Sequence, residues 1–285
     1  MKVSLRLLTL FSLCSLIACN QNSGETWNQE TASVSRVING SPVSRDTYES
    51  KSVVLIELMD ARGLLLAFCT GTIVSPKFVL TAGHCFDTNL IAGVARSNIV
   101  FDTVYDFRRL KTSTVKNSVR GGNAMKHPEY NKEGQWDHDA ALLPIKGAIP
   151  AGFGPVVLDD NKYANYEGQR VTIYGFGRSQ NYTGVIGEDF YQYIGTLRRG
   201  TLTVDNLYNQ YQDRYYTVAG SSQQLCQGDS GGPQFLTSKN GSVKQVGINS
   251  AVEGPKLPNG IGSCYGPAHA TKVAFMYDWI QKQIK

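Results

Sequence analysis

One short stretch near the end of the chain combines a serine with the backbone freedom that nucleophilic catalysis needs. Residues 226–233 read Cys-Gln-Gly-Asp-Ser-Gly-Gly-Pro, so three glycines lie close to Ser230. Glycine allows a backbone to bend sharply and to approach another molecule closely. In such a loop the N–H groups of Gly228 and Ser230 can point at a developing negative charge and stabilise it. The stretch therefore predicts a nucleophilic serine beside an oxyanion hole.

A serine nucleophile needs a general base, for which histidine is the usual residue. The four histidines of the chain are His84, His127, His138 and His269. His84 follows the apolar run 78–80 and precedes Cys85, which predicts an imidazole at the rim of a sheet, next to a half-cystine. The alternative for His84 is a histidine whose polar atoms are satisfied in a core or a turn.

The sequence around Ser230 and His84 resembles that of chymotrypsin/trypsin-like serine peptidases. The match consists of Gly-Asp-Ser-Gly-Gly-Pro at 228–233 and Thr-Ala-Gly-His-Cys at 81–85, where most members have alanine in place of Gly83. The resemblance covers residues 37–285. It implies a loop without catalytic function around His127 and a packed or surface position for His269.

In this family the triad acid opens a strand of the type Asp-Ile-Ala-Leu that enters the core. Residues 139–142, Asp-Ala-Ala-Leu, fit that register, and so we predict Asp139 as the acid that orients His84. We predict a solvated loop for Asp137 and His138. The order His84, Asp139, Ser230 is that of chymotrypsin-type enzymes and differs from the orders of subtilisin-like enzymes and α/β-hydrolases.

Residues 36–40, Arg-Val-Ile-Asn-Gly, resemble the activation junction of the family. The resemblance implies a zymogen in which cleavage after Arg36 frees the α-amine of Val37. That amine would pair with Asp229, because a buried aspartate without a partner is costly. The alternative is that Arg36 is one more exposed base at the start of a strand.

The resemblance also places the primary substrate pocket. Gln224, six residues before the nucleophile, would lie at its base, where trypsin-like members have aspartate. Ser250, Val252 and Ala268 would line its walls, and Ser250 would also hydrogen-bond the acid. We therefore predict a preference for small or medium uncharged side chains, and a separate trypsin-like protease as the activator at Arg36.

The first 36 residues are predicted to lie outside the fold. Residues 1–19 have a basic start and a short apolar stretch, which is typical of an export signal. The ending Leu-Ile-Ala-Cys resembles a bacterial lipobox with Cys19 as the lipidated residue; an ordinary secretory signal is the alternative. Residues 20–36 are small and polar and predict a tether. The protein is expected to be exported, to the periplasm or beyond, with its precursor anchored to the membrane by the lipid.

Four cysteines remain outside the signal: Cys69, Cys85, Cys226 and Cys264. An even number in an exported chain indicates disulfides, and four cysteines permit three pairings. The resemblance implies Cys69–Cys85 and Cys226–Cys264. A zinc site is the alternative, although the sequence has no Cys-x-x-Cys pair.

Composition and patterning indicate an all-β protein. Net charge is +5 with dispersed basic residues, which gives no footprint for nucleic acid. Short strand-like runs separated by turn residues predict antiparallel barrels. The resemblance implies two six-stranded barrels, about 37–150 and 151–270, and a helix at about 271–285, where apolar residues recur at helical spacing.

The family implies a monomeric serine endopeptidase that acts on proteins or peptides and needs neither a metal nor a cofactor. The competing interpretation is a catalytically inactive binding protein on the same scaffold, because a fold does not fix a function.

Overall fold

The computed structural model describes residues 37–107, 117–134, 136–181, 191–205, 212–218 and 223–285. The predicted signal, Cys19, the tether and Arg36 lie outside the described residues. Within these ranges the chain consists mainly of antiparallel strands, with two 3-10 helices, η1 (Ser50–Ser52) and η2 (Gly83–Phe86), and one α-helix.

The first barrel is built from the first half of the chain. Its strands are β2 (Val53–Met59), β3 (Leu65–Ser75), β4 (Phe78–Thr81), β5 (Arg96–Val100), β6 (Ser118–Gly121) and β8 (Ala141–Lys146). They pair in the order β4-β3-β2-β5-β6-β8, and β4 pairs with β8 to close the ring. The two-residue strand β7 (Met125–Lys126) is added to β8 outside the ring. Closure leaves no unpaired edge in the ring, and the buried side chains of β2 fill its interior.

The second barrel has the same construction. Its strands are β9 (Arg170–Gly175), β10 (Arg198–Asp205), β11 (Arg214–Thr217), β12 (Pro233–Thr237), β13 (Val243–Val252) and β14 (Ala268–Lys272). The order is β9-β10-β11-β14-β13-β12, and β12 pairs with β9. The two-residue strand β1 (Ser41–Pro42) pairs with β10, so the first described residues lie with the second barrel, whereas the sequence assigned them to the first. The fold class is confirmed as two closed six-stranded antiparallel barrels.

The C-terminal helix α1 (Val273–Ile284) lies where helical spacing predicted it. Val273, Met276 and Ile280 are fully buried and belong to the main apolar core. The half-buried Phe275 and Trp279 of this helix pack against His127 and His138 in the loop between β7 and β8.

Strand boundaries differ from the prediction mainly where apolar periodicity is weak. The apolar pattern predicts two separate strand-like runs at 64–68 and 71–74. The structure has the single strand β3 there, because Cys69 and Thr70 continue the pairing with β2. Strand β14 was not predicted, since its sequence Ala-His-Ala-Thr-Lys carries little β-branched or aromatic signal.

Candidate active site

His84 lies in η2, directly after β4, at the rim of the first barrel. Its Nδ1 atom is 2.7 Å from Oδ2 of Asp139, and its backbone N–H donates to Oδ1 of the same carboxylate at 2.8 Å. Gly83 leaves room for this turn, because a Cβ there would come within 2.8 Å of the Tyr130 ring and 3.2 Å of the Ala140 carbonyl. One carboxylate thus holds His84 at both its ring and its backbone.

Asp139 is fully buried just before β8. The Ser250 hydroxyl donates to its Oδ2 at 2.5 Å, as the resemblance implied. Burial by itself raises the pKa of this carboxyl, but the attraction of His84 and the hydrogen bonds from His84 and Ser250 hold it below its ordinary value. An ionised carboxylate at Nδ1 keeps the imidazole in the tautomer whose Nε2 can accept a proton.

Asp137 and His138 do not lie in a solvated loop, and that prediction is wrong. Asp137 is 8% exposed and its Oδ1 forms an ion pair with Nη2 of Arg214. The His138 side chain stacks on His127 with ring centroids 4.9 Å apart. No local pattern indicates the ion pair, because Arg214 lies 77 positions from Asp137 along the chain.

Residues of strand β3 contact the loop at 226–233 and fix its backbone. Gly228 has a φ of +96°, which favours glycine, and a Cβ there would lie 2.5 Å from the Phe68 ring. Thr70 donates its hydroxyl to the Gly228 carbonyl and its backbone N–H to the Ser230 carbonyl, both at 2.8 Å. Among the described residues, no acceptor is bonded to the N–H of Gly228 or of Ser230. These two donors are therefore available to an oxyanion.

Asp229, within this loop, is buried at 1% exposure. Its carboxylate accepts N–H groups of Gly177 at 2.8 Å and of Cys226 at 2.9 Å. Burial nevertheless raises its pKa to about 7, and the two backbone bonds together with the charge of Arg198 lower it only in part. Such a carboxylate would gain from a cation close by.

The two residues after the predicted cleavage site lie close to this loop. Val37 and Ile38 are each 1% exposed, and Ile38 packs on Cys226 and Cys264. Ile38 also forms a β-bridge with Gln224. Residues 37–38 therefore pack next to the loop that carries Asp229.

Both disulfides implied by the resemblance are present. Cys69–Cys85 joins β3 to the His84 turn, and Cys226–Cys264 joins the Ser230 loop to the segment before β14. Cys69, His84 and Cys85 form a group whose potential metal-ligating atoms lie within 4.8 Å, but both thiols are used in the disulfide.

A cleft of about 210 Å³ lies between His84 and the Ser230 loop. Its lining residues are His84, Trp136, Leu225, Cys226, Gln227, Asp229, Ser230, Asn249, Ser250, Ala251 and Val252. A larger cavity of about 510 Å³ near Lys162 and Lys272 contains none of the predicted site residues. The smaller cleft is therefore the candidate active site, because His84 and Ser230 line it.

The primary pocket differs in detail from the prediction. Gln224 is fully buried, and its Nε2 donates to the carbonyls of Val218 and Gly266, both at 3.3 Å. Gln224 is not among the residues that line the cleft, whereas its neighbour Leu225 is. Ser250 and Val252 line the cleft as the resemblance implied, whereas Ala268 is fully buried and is not among the lining residues. Sequence reasoning missed Leu225, although its position next to Gln224 could have indicated it.

Trp136 was also missed. Its ring is edge-on to His84, with centroids 5.1 Å apart and an interplanar angle of 82°. The signal was a bulky aromatic residue three positions before the predicted acid.

Comparison with solved structures defines the class of fold. A collagenase structure superposes with a TM-score of 0.64 at 19% identity, covering 86% of this chain and 97% of that chain. A scabies mite inactivated protease paralogue superposes with a TM-score of 0.63, also at 19% identity, covering 87% and 97%. At these identities the likeness shows the chymotrypsin-like fold alone.

The trypsin family model matches residues 37–280, and the chain therefore belongs to the trypsin family of serine peptidases. A trypsin of Saccharopolyspora erythraea is 27% identical over 229 residues, covering 76% of this chain and 87% of that protein. Phenoloxidase-activating enzyme 1 of Spodoptera litura is 26% identical, covering 84% of this chain and 65% of that protein. In the part of the chain that the structure describes, no helix is both long and apolar enough to span a membrane.

Proposed function

We propose that the protein is an active serine endopeptidase. The observation that supports it best is the buried Asp139 carboxylate bonded to His84, at the edge of a cleft that Ser230 also lines. The Ser230 hydroxyl attacks the scissile carbonyl while His84 takes its proton, and Asp139 stabilises the resulting imidazolium. The N–H groups of Gly228 and Ser230 stabilise the oxyanion. His84 then protonates the leaving amine, and water releases the acyl group by the same steps.

A binding protein of the same fold is the second candidate, because one structural neighbour is described as an inactivated protease. A fluorophosphonate probe separates the two. We expect stoichiometric labelling of the trypsin-treated protein at Ser230, and none in Ser230→Ala. A folded, trypsin-treated wild type that remains unlabelled would identify it as the binder.

The two disulfides and the family fit an extracellular protein. We further propose that the precursor is anchored through Cys19 and is cut after Arg36 by a trypsin-like protease, releasing a monomeric domain. The burial of Val37 and Ile38 beside the Ser230 loop supports insertion of the new amine next to Asp229. Membrane fractionation before and after trypsin, with N-terminal sequencing, tests this. A cut domain that stays with the membrane, or a soluble precursor with unmodified Cys19, contradicts the anchor.

The pocket should reject Lys and Arg at the cleaved position. Leu225 and Val252 line the cleft, and the one acid among its described lining residues, Asp229, already accepts two backbone N–H groups. Gln224 is uncharged, so a long basic side chain finds no free counter-charge in the described part of the cleft. Burying an unpaired charge costs several kcal/mol, so we expect kcat/KM for Arg to be at least roughly 100-fold below that for Ala or Val. Cleavage-site profiling on a peptide library measures this.

The control for this prediction is Val252→Gly. It should admit larger apolar side chains without improving cleavage after Arg, because it adds space and no charge. Cleavage after Arg or Lys by the wild type as efficient as after Ala or Val would contradict the predicted specificity.

A further inference from the structure

The loop between β7 and β8, which the structure describes at 127–134 and 136–140, has an unfavourable backbone next to the candidate active site in these described parts. Three residues that are not glycine have left-handed φ angles: Asn131 at 57°, Trp136 at 72° and His138 at 48°. Residues other than Gly and Asn rarely adopt such φ angles, so contacts with neighbouring residues must keep Trp136 and His138 in this conformation.

A buried cluster of three charged residues, Arg214, Asp137 and Asp213, contacts this turn. The Arg214 side chain is 5% exposed and lies at the start of β11. Its Nη2 pairs with Oδ1 of Asp137, and its Nε donates to Oδ1 of Asp213 at 3.3 Å. Although burial lowers the pKa of Arg214, the two carboxylates raise it above its ordinary value. The guanidinium is therefore a permanent cation between two acids.

The second acid of the cluster also binds the loop. Oδ2 of Asp213 accepts the backbone N–H of His138 at 2.8 Å. Arg214 thus acts on the loop through a side chain at 137 and, by way of Asp213, through the backbone at 138. Asp137 lies between the two strained residues Trp136 and His138, and His138 is the residue whose backbone Asp213 binds.

The residue that this turn presents to the cleft is Trp136. Its ring lies edge-on to His84 and lines the same cleft as Ser230. Residue 139, on the other side of the turn, is the acid that contacts His84. The turn therefore sets the distance and angle between an apolar wall and the imidazole.

We propose that Arg214 is a positioning residue: by pairing with Asp137 and Asp213 it holds the turn at 136–138, and so keeps Trp136 in place as the wall for an apolar substrate side chain beside His84. The proposal rests on the proposed peptidase function. It assigns a specificity role to an ion cluster that contacts no substrate.

The test is a double-mutant cycle between Asp137→Asn and Trp136→Ala, measured as kcat/KM on a peptide library. Trp136→Ala first identifies the substrate position at which a preference for apolar residues is relaxed. Asp137→Asn keeps the shape of the side chain but removes the ion pair. We expect it to lower kcat/KM for the preferred peptides by roughly 10-fold, mainly through KM, because small misplacements in an active site are costly. In the Trp136→Ala background its effect should fall to less than about 2-fold.

Two further variants sharpen the result. Arg214→Lys keeps the charge but loses the planar fork that reaches two carboxylates, and it should behave like Asp137→Asn. Lys162→Met removes the exposed ion pair with Asp278 and should leave the preference unchanged. Equal losses from Asp137→Asn with and without Trp136, or an unchanged preference in both Asp137→Asn and Arg214→Lys, would overturn the proposal.

A measurement without turnover keeps this inference separate from the peptidase assignment. Acrylamide quenching of tryptophan fluorescence, with Trp136→Phe as the reference, should increase at Trp136 in Asp137→Asn. If the wild type neither cleaves peptides nor reacts with the probe, the peptidase function fails, and quenching still decides whether the cluster holds Trp136. Unchanged quenching would contradict the hold itself.

Discussion

Replacing Ser230 or His84 by Ala in the activated protein should lower kcat by about 10⁶-fold, the size of loss measured for a serine protease of unrelated fold. Ser230 would supply the nucleophile and His84 the base. Among the described lining residues His84 is the only histidine, and the Ser250 hydroxyl is already bonded to Asp139. Loss of both residues together should cost little more than loss of one, because the two act as a unit. Hydrolysis of an unstructured protein substrate, with active-site titration of the wild type, measures the effect.

The matched control is thermal unfolding of each variant. Ser230 lies at the edge of a cleft, so Ser230→Ala should unfold at nearly the same temperature as the wild type. A Ser230→Ala variant that is folded and cleaves peptides within about 10-fold of the wild-type rate would be incompatible with a serine mechanism.

The second large effect should distinguish two neighbouring acids. Asp139→Ala should lower kcat by roughly 10⁴-fold, since His84 would lose both its tautomer and the stabilisation of its charged form. Asp137→Ala should lower kcat by less than about 10-fold, because Asp137 pairs with Arg214 and not with His84. Kinetics under substrate saturation compare the two variants directly.

The expected cost of Asp137→Ala falls on stability and on KM. It removes one of two acids from a buried guanidinium, and it weakens the hold on Trp136. The free energy of unfolding should therefore fall more for Asp137→Ala than for the exposed Lys162→Met. A severe kcat loss in Asp137→Ala together with a mild one in Asp139→Ala would show that the choice of acid is wrong.

The sequence predicted the parts of the site that depend on short motifs. Gly-Asp-Ser-Gly-Gly-Pro and Thr-Ala-Gly-His-Cys each combine a reactive side chain with the backbone that presents it, so a local pattern contains both. The two-barrel fold, the trypsin family and both disulfides are confirmed. Cleavage after Arg36 and lipidation of Cys19 stay predictions, because both residues lie outside the described ranges.

The sequence by itself thus determined the candidate nucleophile and base, the pairing of cysteines by family resemblance and the class of fold. Only the tertiary structure decided the surroundings of these groups. Asp137 looks like a loop residue until folding brings Arg214 to it from 77 positions away. The motif spacing places Gln224 at the base of the pocket, whereas in the structure its neighbour Leu225 lines the cleft. The reason is that burial and ion pairing depend on contacts between strands that are distant along the chain, and no local pattern records which strands will meet.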